Sequence, residues 1–262
     1  MAIPPSADSR RLIMLLDDPA RRHLVAALVL DDVRLRDLAA ETSLRPDAVV
    51  ALLEPLRAAS LVTNRRSDAN AADVYYHLDL DALRRVYQAA GSPLPAELDP
   101  VGSTAASASD PGPSRPRMLF LCTRNSARSQ LAEGLTRLLS KGQVDVFSAG
   151  TQPDVVHPMA IDVLSSLHID VSQQRSKHLE EFLGQAFDYV ITVCDSAREA
   201  CPIFPGAQRT LHWSIPDPAS IADEAARRRA FRRTAQELRA RITYLLFFLE
   251  RERNEQRVVG AG

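Results

Sequence analysis

The chain has 262 residues, of which 45% are hydrophobic and 25% charged, and its formal net charge is −1. These values are typical of globular proteins, and the length suffices for one large domain or two small ones. A net charge this close to zero gives no overall basic excess for binding nucleic acid or an acidic surface.

The ends of the chain and its cysteines predict where the protein works. The first residues, "MAIPPSADSRRLIMLLDDPARR", hold no apolar core long enough for a signal peptide. The apolar stretch "ITYLLFFLE" is far too short to cross a bilayer. We therefore expect a cytoplasmic protein with no membrane partner. In a reducing compartment, its three cysteines, Cys122, Cys194 and Cys201, are more typical of catalytic or redox chemistry than of a structural disulfide.

Residues 10–91 are predicted to form a small, mainly helical domain. Apolar residues at helical spacing indicate helices within 18–30, 33–44 and 46–61, and Pro46 stands where a helix start would place it. Two short strands flank the polar loop "SDANAAD", and "LDALRRVYQAAG" follows as a helix. The domain resembles the winged helix-turn-helix domain of arsenic-repressor-like transcription regulators. The resemblance rests on "DDPARRHLVAAL", "LRDLAAETSLRPDAVVALLEPLRAASLV" and "VYYHLD".

DNA binding does not follow directly from this resemblance. The third helix of such domains enters the major groove, but here the stretch "RPDAVVALLEP" is mostly apolar and acidic after Arg45. Residues 1–95 hold twelve arginines and no lysine against eleven aspartates and two glutamates, so a basic excess is absent. The candidate DNA contacts are Arg45, Arg65 and Arg66. Weak DNA binding and a protein-contact or homodimerisation role both remain open.

Residues 92–116 are predicted to be a flexible linker. They are mostly Gly, Pro, Ser and Ala, without apolar periodicity, so they cannot bury a core. The linker leads to a second domain over residues 117–252.

The second domain shows an alternation of strands and helices. The apolar runs "RMLFLC", "VDVFSAG" and "AFDYVITVC" predict strands, and the amphipathic stretches between and after them predict helices. This alternation is typical of a three-layer α/β domain with a parallel sheet and helices on both faces. Ligands of such sheets bind beyond the carboxyl ends of the strands. Cys122 and Cys194 each end a strand, so we expect both at this edge.

The sequence "CTRNSARS", residues 122–129, has the spacing C-x5-R-S between a predicted strand and a predicted helix. Its backbone can curl so that successive N–H groups converge at the helix N-terminus and bind an anion. Arg128 adds a planar fork that matches two oxygens of a tetrahedral oxyanion. The same field favours the thiolate of Cys122, which would then be a nucleophile facing its substrate; a simple buried cysteine is the alternative. The predicted oxyanion-binding residues are Thr123, Arg124, Asn125, Ser126, Ala127, Arg128 and Ser129.

This loop and its surroundings, residues 117–250, resemble the low-molecular-weight tyrosine phosphatase family, which includes a branch of arsenate reductases. The stretch "VITVCDSAREACP" places Cys194 and Cys201 as a C-x6-C pair, which indicates the reductase branch. The stretch "HWSIPDPAS" carries Asp217 where the family keeps its general acid. Ala219 and Ser220 stand where phosphatases have an aromatic residue that grips tyrosine. "FSAG" and "FRRTAQELRARI" also resemble family stretches.

The resemblance implies a thioredoxin-coupled arsenate reductase that converts arsenate to arsenite. Cys122 would attack arsenate, Asp217 would act as the acid, and Cys194 and Cys201 would complete a disulfide relay, for which the loop "DSAREA" must rearrange. The implied partner is an external thiol reductant, thioredoxin or similar, with no tightly bound cofactor and no metal ion. A phosphatase-like hydrolase and an arsenic-responsive transcription regulator are the alternatives.

The reductase branch can bind a potassium ion beside the loop, using an Asn, a Glu, a Ser and an Asp. Asn125, Glu133 and Ser148 match the first three, but Lys177 stands at the fourth position. Its ammonium group could replace the ion and make the enzyme insensitive to potassium. A solvated surface lysine is the alternative.

Overall fold

The computed structural model describes residues 14–90, 115–200, 204 and 206–260, with side chains up to residue 254. The chain divides into two compact units, residues 1–106 and 107–262, and the division falls inside the stretch predicted as a linker. Within the described residues, no helix combines the length and the apolar character that a membrane span requires.

The first unit contains four described helices and a small antiparallel sheet. The helices are α1 (Pro19–Ala27), α2 (Leu35–Thr42), α3 (Pro46–Ala58) and α4 (Leu80–Ala89). The strands are β1 (Val33–Arg34), β2 (Val62–Arg66) and β3 (Val74–Leu78), in the sheet order β1-β3-β2. The helices and the β2–β3 hairpin follow the predicted order, whereas β1 was not predicted because two residues show no alternation. The winged-helix resemblance stays a prediction.

Local sequence and apolar burial explain these helices. Asp18 caps α1 by accepting a hydrogen bond from Arg21 N at 2.8 Å, and Pro46 is the first residue of α3. The core of the unit is formed by side chains at helical spacing, among them the fully buried Leu24, Leu38 and Leu53. The helices are therefore held by the apolar faces that the sequence pattern predicted.

The second unit is built on a parallel four-stranded sheet. Its strands are β4 (Arg117–Cys122), β5 (Asp145–Gly150), β6 (Phe187–Thr192) and β7 (Ala207–His212), in the order β5-β4-β6-β7. Its helices are α5 (Arg128–Leu139), α6 (Pro158–Ser166), α7 (Asp195–Ala200) and α8 (Glu224–Gly260), with 3₁₀ turns at Leu179–Phe182 and Pro218–Ser220. The predicted parallel α/β domain is confirmed.

Both faces of the sheet are covered. Leu119 and Leu121 of β4 pack on one face in a cluster that includes Phe182 and Phe187. On the other face Ser148 of β5 donates a hydrogen bond to Glu133 of α5, which places that helix there. Burial on both faces explains why β4 is a continuous apolar run.

Two elements differ from the sequence prediction. Strand β7 was not predicted, because an edge strand carries polar residues and its first four residues are not fully buried. The segment "DSAREA" was predicted as a loop, and this was wrong: it is helix α7. The alanines and Arg198 favour a helix and Asp195 suits its first turn, but six residues are too few to show apolar periodicity.

Candidate oxyanion-binding site

The loop between β4 and α5 turns its carbonyl groups away from Cys122. Residues that follow later in the chain donate hydrogen bonds to these outward-facing oxygens. The pairs are Gln152 N to Thr123 O (2.8 Å), Asp154 N to Arg124 O (2.9 Å), Ser176 Oγ to Asn125 O (2.6 Å) and His157 N to Ser126 O (2.9 Å). Four successive carbonyl groups are thus fixed by hydrogen bonds.

Fixed carbonyls also fix the amides of the loop, because the C=O and N–H of a trans peptide point in opposite directions. The N–H groups of residues 124–127 therefore turn towards the inside of the loop. Asn125 shows this directly, since its N–H donates to Cys122 Sγ at 3.1 Å. Cys122 Sγ also lies 2.9 Å from Ser129 Oγ. The loop can hold negative charge on the thiol and on a bound oxyanion.

Asn125 and Gly150 make the tight curvature possible. Asn125 has a φ of 46°, in the left-handed region that asparagine tolerates better than most residues. Its side-chain amide donates to Ser129 Oγ at 2.9 Å and to Ser148 Oγ at 2.8 Å. A Cβ atom on Gly150 would lie 2.6 Å from Thr123 O, so the loop passes where only glycine leaves room.

Arg128 and Asp217 lie together at this site. Arg128 begins α5, and its Nη1 donates to Ile215 O at 2.9 Å. Its Nη2 lies 3.6 Å from Asp217 Oδ2. The Asp217 side chain is 38% exposed, whereas that of Arg128 is 10% exposed. The guanidinium group is therefore buried at the loop and the carboxyl group is open to solvent and to an incoming ligand.

Cys194 lies beside the same loop. It follows β6, which pairs with β4 in parallel register, so both strands end at one edge. Cys194 Sγ lies 3.5 Å from Thr123 Oγ1 and accepts a hydrogen bond from the backbone of Ala197. Burial raises the pKa of the Cys194 thiol, and negative charge on Cys122 adds to this rise, while Arg128 opposes it. Cys201, the third predicted thiol, lies outside the described residues.

Lys177 is buried beside the loop. Its ammonium group donates to Glu133 Oε2 at 3.1 Å and to Arg175 O at 3.1 Å. Glu133 also accepts from Ser148 and forms an ion pair with Arg137. The side chains of Lys177 and Glu133 are only 10% and 2% exposed. The ammonium group of Lys177 already neutralises the Glu133 carboxylate, so the residues present do not fit a bound potassium ion.

Several residues that shape the loop were not predicted. Gln130 Nε2 donates to Asn125 O at 3.1 Å, to Asn125 Oδ1 at 3.0 Å and to Arg175 O at 2.9 Å. Ser176 adds a hydroxyl donor to Asn125 O, and the predicted site residue Lys177 adds a backbone donor to Asn125 Oδ1 that was not expected. The contacts of Arg175, Ser176 and Lys177 join parts of the chain that are far apart in sequence, so no local pattern indicates them. Within the described ranges, no group of three His, Cys, Asp or Glu residues could hold a metal ion.

A family model described as "Low molecular weight phosphotyrosine protein phosphatase" matches residues 117–256, which is more than half of the chain. The chain belongs to this family. The matched segment holds the oxyanion loop, Cys194 and Asp217, so the family assignment covers the whole candidate site.

Curated relatives carry the name arsenate reductase. The protein from Halalkalibacterium halodurans is 38% identical over 124 residues, which are 47% of this chain and 89% of the relative. The protein from Shouchella clausii is 36% identical over the same shares. A solved structure, the thioredoxin-dependent arsenate reductase Cg_ArsC1' of Corynebacterium glutamicum, is 28% identical, with a TM-score of 0.41, covering 52% of this chain and 63% of that one. Membership of a phosphatase family with arsenate reductase relatives confirms the resemblance stated for residues 117–250.

Proposed function

We propose that the protein reduces arsenate to arsenite with Cys122 as nucleophile. One observation carries the proposal: Cys194, a second thiol, is buried against Thr123 of the loop that holds Cys122. Hydrolysis of a phosphate ester needs one nucleophile, whereas two-electron reduction needs a second thiol close to the first. The sequence similarity to arsenate reductases supports the same reaction.

In the proposed reaction, the Cys122 thiolate attacks arsenic, and an arsenate oxygen leaves with a proton from Asp217. The inward amides and Arg128 bind the remaining oxygens. The Cys194 thiolate then attacks Cys122 Sγ, and the electron pair of the sulfur–arsenic bond passes to arsenic. Arsenite leaves and a Cys122–Cys194 disulfide remains. Attack by Cys201 on Cys194 would free Cys122 and pass the disulfide to the C-x6-C pair.

The reductant of the final disulfide is an external thiol protein such as thioredoxin in this proposal. Repeated turnover needs such a partner, because the thiols of the chain supply electrons for only one reduction and must then be reduced by thiol–disulfide exchange. The proposal also places the reaction in the cytoplasm, where the three cysteines are kept reduced between turnovers.

A phosphatase-like hydrolase is the second candidate, because the loop, Arg128 and Asp217 form an oxyanion site without any contribution from Cys194. The test is an assay of the purified full chain with arsenate and with p-nitrophenyl phosphate, using thioredoxin and thioredoxin reductase as the electron source. Arsenite formation that needs Cys194 supports the reductase. Hydrolysis of the ester without any arsenite formation would make the phosphatase the better assignment.

The pKa of Cys194 predicts how the second step depends on pH. Because burial raises this pKa above the ordinary range of a thiol, Cys194 is mostly protonated at neutral pH. We expect the rate of Cys122–Cys194 disulfide formation to rise about tenfold per pH unit between pH 6.5 and 8, where the thiolate fraction grows in that proportion. Quenched-flow mapping of the disulfide in the Cys201→Ser variant measures this rate. A flat profile would contradict the role of Cys194 as the attacking thiol.

We infer that the Lys177 ammonium stands in place of a potassium ion. An ammonium group 3.1 Å from Glu133 neutralises the same carboxylate, and the backbone N–H of Lys177 donates to Asn125 Oδ1 at 2.8 Å. Lys177 is therefore connected to the loop by both its charge and its backbone. Asn125, Glu133, Ser148 and Lys177 would form one metal-free support of the oxyanion site.

The expected result is that activity differs by less than about twofold between potassium and sodium chloride at equal ionic strength. Lys177→Met should lower the free energy of unfolding by roughly 3 kcal/mol, since the buried Glu133 carboxylate loses the ammonium group 3.1 Å away. Denaturant unfolding measures the loss. The matched control is Lys141→Met, because Lys141 is the other lysine of the chain and its side chain is exposed. Strong activation of the wild type by potassium would refute the replacement.

The N-terminal unit is proposed to have a protein-contact or dimerisation role. Each candidate DNA contact already has a partner: Arg45 pairs with Asp47 at 2.7 Å, Arg65 pairs with Asp68 at 2.8 Å, and Arg66 donates to Ala71 O at 3.2 Å. These neighbours compete with phosphate for the guanidinium groups. The arsenic-responsive regulator therefore receives less support than the enzyme.

We expect the full chain to show no sequence-specific DNA binding with a Kd below about 10⁻⁷ M at physiological salt. This limit is chosen because specific protein–DNA complexes typically have a lower Kd. Gel shifts with a random-sequence DNA library, with and without arsenite, test this. As a positive control, Asp47→Asn and Asp68→Asn together remove the negative charges that pair with Arg45 and Arg65 and should increase non-specific binding. A specific nanomolar complex of the wild type would overturn the expectation.

A further inference from the structure

A buried polar cluster lies behind Cys194 and has no place in the reaction as proposed. Asp195 Oδ1 lies 3.1 Å from His212 Nε2 and accepts a hydrogen bond from Ser214 Oγ at 2.8 Å. His212 Nδ1 lies 2.8 Å from Thr192 Oγ1. The side chains of Asp195 and His212 are both fully buried. Taking a carboxylate and an imidazole out of water is costly, and that cost calls for an explanation.

The cluster joins three separate parts of the second unit. Thr192 is the last residue of β6, His212 is the last residue of β7, and Asp195 is the first residue of α7. Because a carboxylate only accepts hydrogen bonds, the chemistry of the partners places a proton on His212 Nε2, and Nδ1 contacts the Thr192 hydroxyl group, which also donates to Leu211 O at 3.3 Å. The start of α7 is therefore attached to the ends of two strands of the rigid sheet.

The proposed relay requires one end of α7 to stay in place while the rest of the helix unwinds. The helix comprises the six residues between Cys194 and Cys201, and the seven residue steps from one cysteine to the other correspond to about 10.5 Å along a helix axis. A disulfide brings its two Cα atoms to roughly 4.4–6.8 Å. A Cys194–Cys201 disulfide therefore requires α7 to unwind. Cys194 must nevertheless remain beside the loop of Cys122, which it contacts through Thr123.

We propose that Asp195 is a positioning residue that fixes the first residue of α7 to His212 and Ser214, so that Cys194 keeps its place while the rest of the helix unwinds. This inference rests on the proposed two-thiol reaction and adds to it a fixed end for the moving segment. Thr192 orients the imidazole ring, and the hydroxyl group of Ser214 provides a second hydrogen bond to the carboxylate. Unwinding is then confined to the residues after Asp195.

Oxidation by hydrogen peroxide tests the inference without arsenate. The Cys122 thiolate attacks peroxide to give a sulfenic acid and hydroxide, and attack by the Cys194 thiolate then gives the disulfide and releases hydroxide, which is protonated to water. In the Cys201→Ser background, mass spectrometry with dimedone, which traps sulfenic acid, separates the two steps. Asp195→Ala should consume the Cys122 thiol within about twofold of the parent rate but form the disulfide at least tenfold more slowly, with dimedone adduct in its place.

Two further variants sharpen the result. Asp195→Asn keeps an oxygen that can accept from His212 and Ser214, so it should restore disulfide formation to within about threefold of the parent. Asp188→Ala is the matched control, because Asp188 accepts a backbone hydrogen bond from Arg117 at 2.7 Å near the start of β4, the end of that strand farthest from Cys122. It should change neither step.

A loss of Cys122 reactivity equal to the loss of disulfide formation in Asp195→Ala would show general destabilisation and overturn the inference. Unchanged disulfide formation would overturn it as well. If Asp195→Ala does not fold, Ser214→Ala removes the hydrogen bond of 2.8 Å to Oδ1, and the inference then requires a two- to fivefold slowing of the second step alone. If the peroxide experiments give the expected results but the wild type forms no arsenite from arsenate, the positioning role of Asp195 stands and the proposed arsenate reduction is refuted.

Discussion

Asp217→Asn is expected to slow formation of the first arsenic adduct by 10²–10⁴-fold, the usual contribution of a general acid. The oxygen that leaves arsenic needs a proton, and an amide cannot supply one at neutral pH. In the free protein the Asp217 carboxyl group lies 3.6 Å from Arg128. A bound oxyanion would compete for that arginine, and its leaving oxygen would then lie beside the Asp217 carboxyl group.

Oxyanion binding should survive the same substitution. In the proposed reaction the inward amides and Arg128 bind the oxyanion, and replacing the carboxyl group by an amide would not remove them. Protection of Cys122 from iodoacetamide by phosphate measures binding, and a single-turnover assay measures adduct formation. Asp223→Asn is the matched control, because Asp223 accepts from Ala226 N at 2.7 Å at the start of α8 and asparagine caps a helix equally well. Unimpaired adduct formation by Asp217→Asn would show that another group is the acid.

The position of the site at one edge of the sheet could be predicted from the sequence, because parallel strands end at the same edge. Runs of apolar residues located β4 and β6, and Cys122 and Cys194 come at or just after their ends. The placement of Arg128 near Cys122 could be predicted because only a short loop between a strand and a helix separates them. These features depend on residues that are close together in the sequence, so the sequence pattern predicts them.

The supports of the loop could not be predicted in the same way. Four of its carbonyl oxygens are bound by residues between Gln152 and Ser176, after intervening elements whose geometry no local pattern contains. Lys177 illustrates the limit. The family resemblance named Lys177 as a replacement for the ion, but by itself a lone lysine favours a solvated position, and contacts distant in sequence bring its ammonium group to Glu133.

The thiol substitutions are expected to give the largest effects, and each should stop the reaction at a different species. Cys122→Ser should abolish adduct formation, because a serine hydroxyl in this loop is a far weaker nucleophile than a thiolate at neutral pH. Cys194→Ser should form the adduct and stop there, since no second sulfur remains to attack Cys122. An added small thiol should release arsenite from that stalled form.

Cys201→Ser should release about one arsenite per enzyme and then stop with a Cys122–Cys194 disulfide. The first two thiols supply both electrons for one reduction, but the disulfide they form is buried: Cys122 and Cys194 are each only 3% exposed. A protein reductant cannot reach sulfur atoms at that depth. Cys201 would carry the disulfide to a position that the reductant can attack.

Quantification of arsenite with arsenate in excess over the enzyme, together with mass mapping of the trapped disulfide, tests the sequence of steps. The wild type with thioredoxin should turn over many times under the same conditions, and Cys201→Ser should yield a burst equal to the enzyme concentration. Repeated turnover by Cys201→Ser with thioredoxin as the sole reductant would mean that the Cys122–Cys194 disulfide is accessible after all. In that case Cys201 would have no necessary part in the relay, and the buried pair alone would connect arsenic to the reductant.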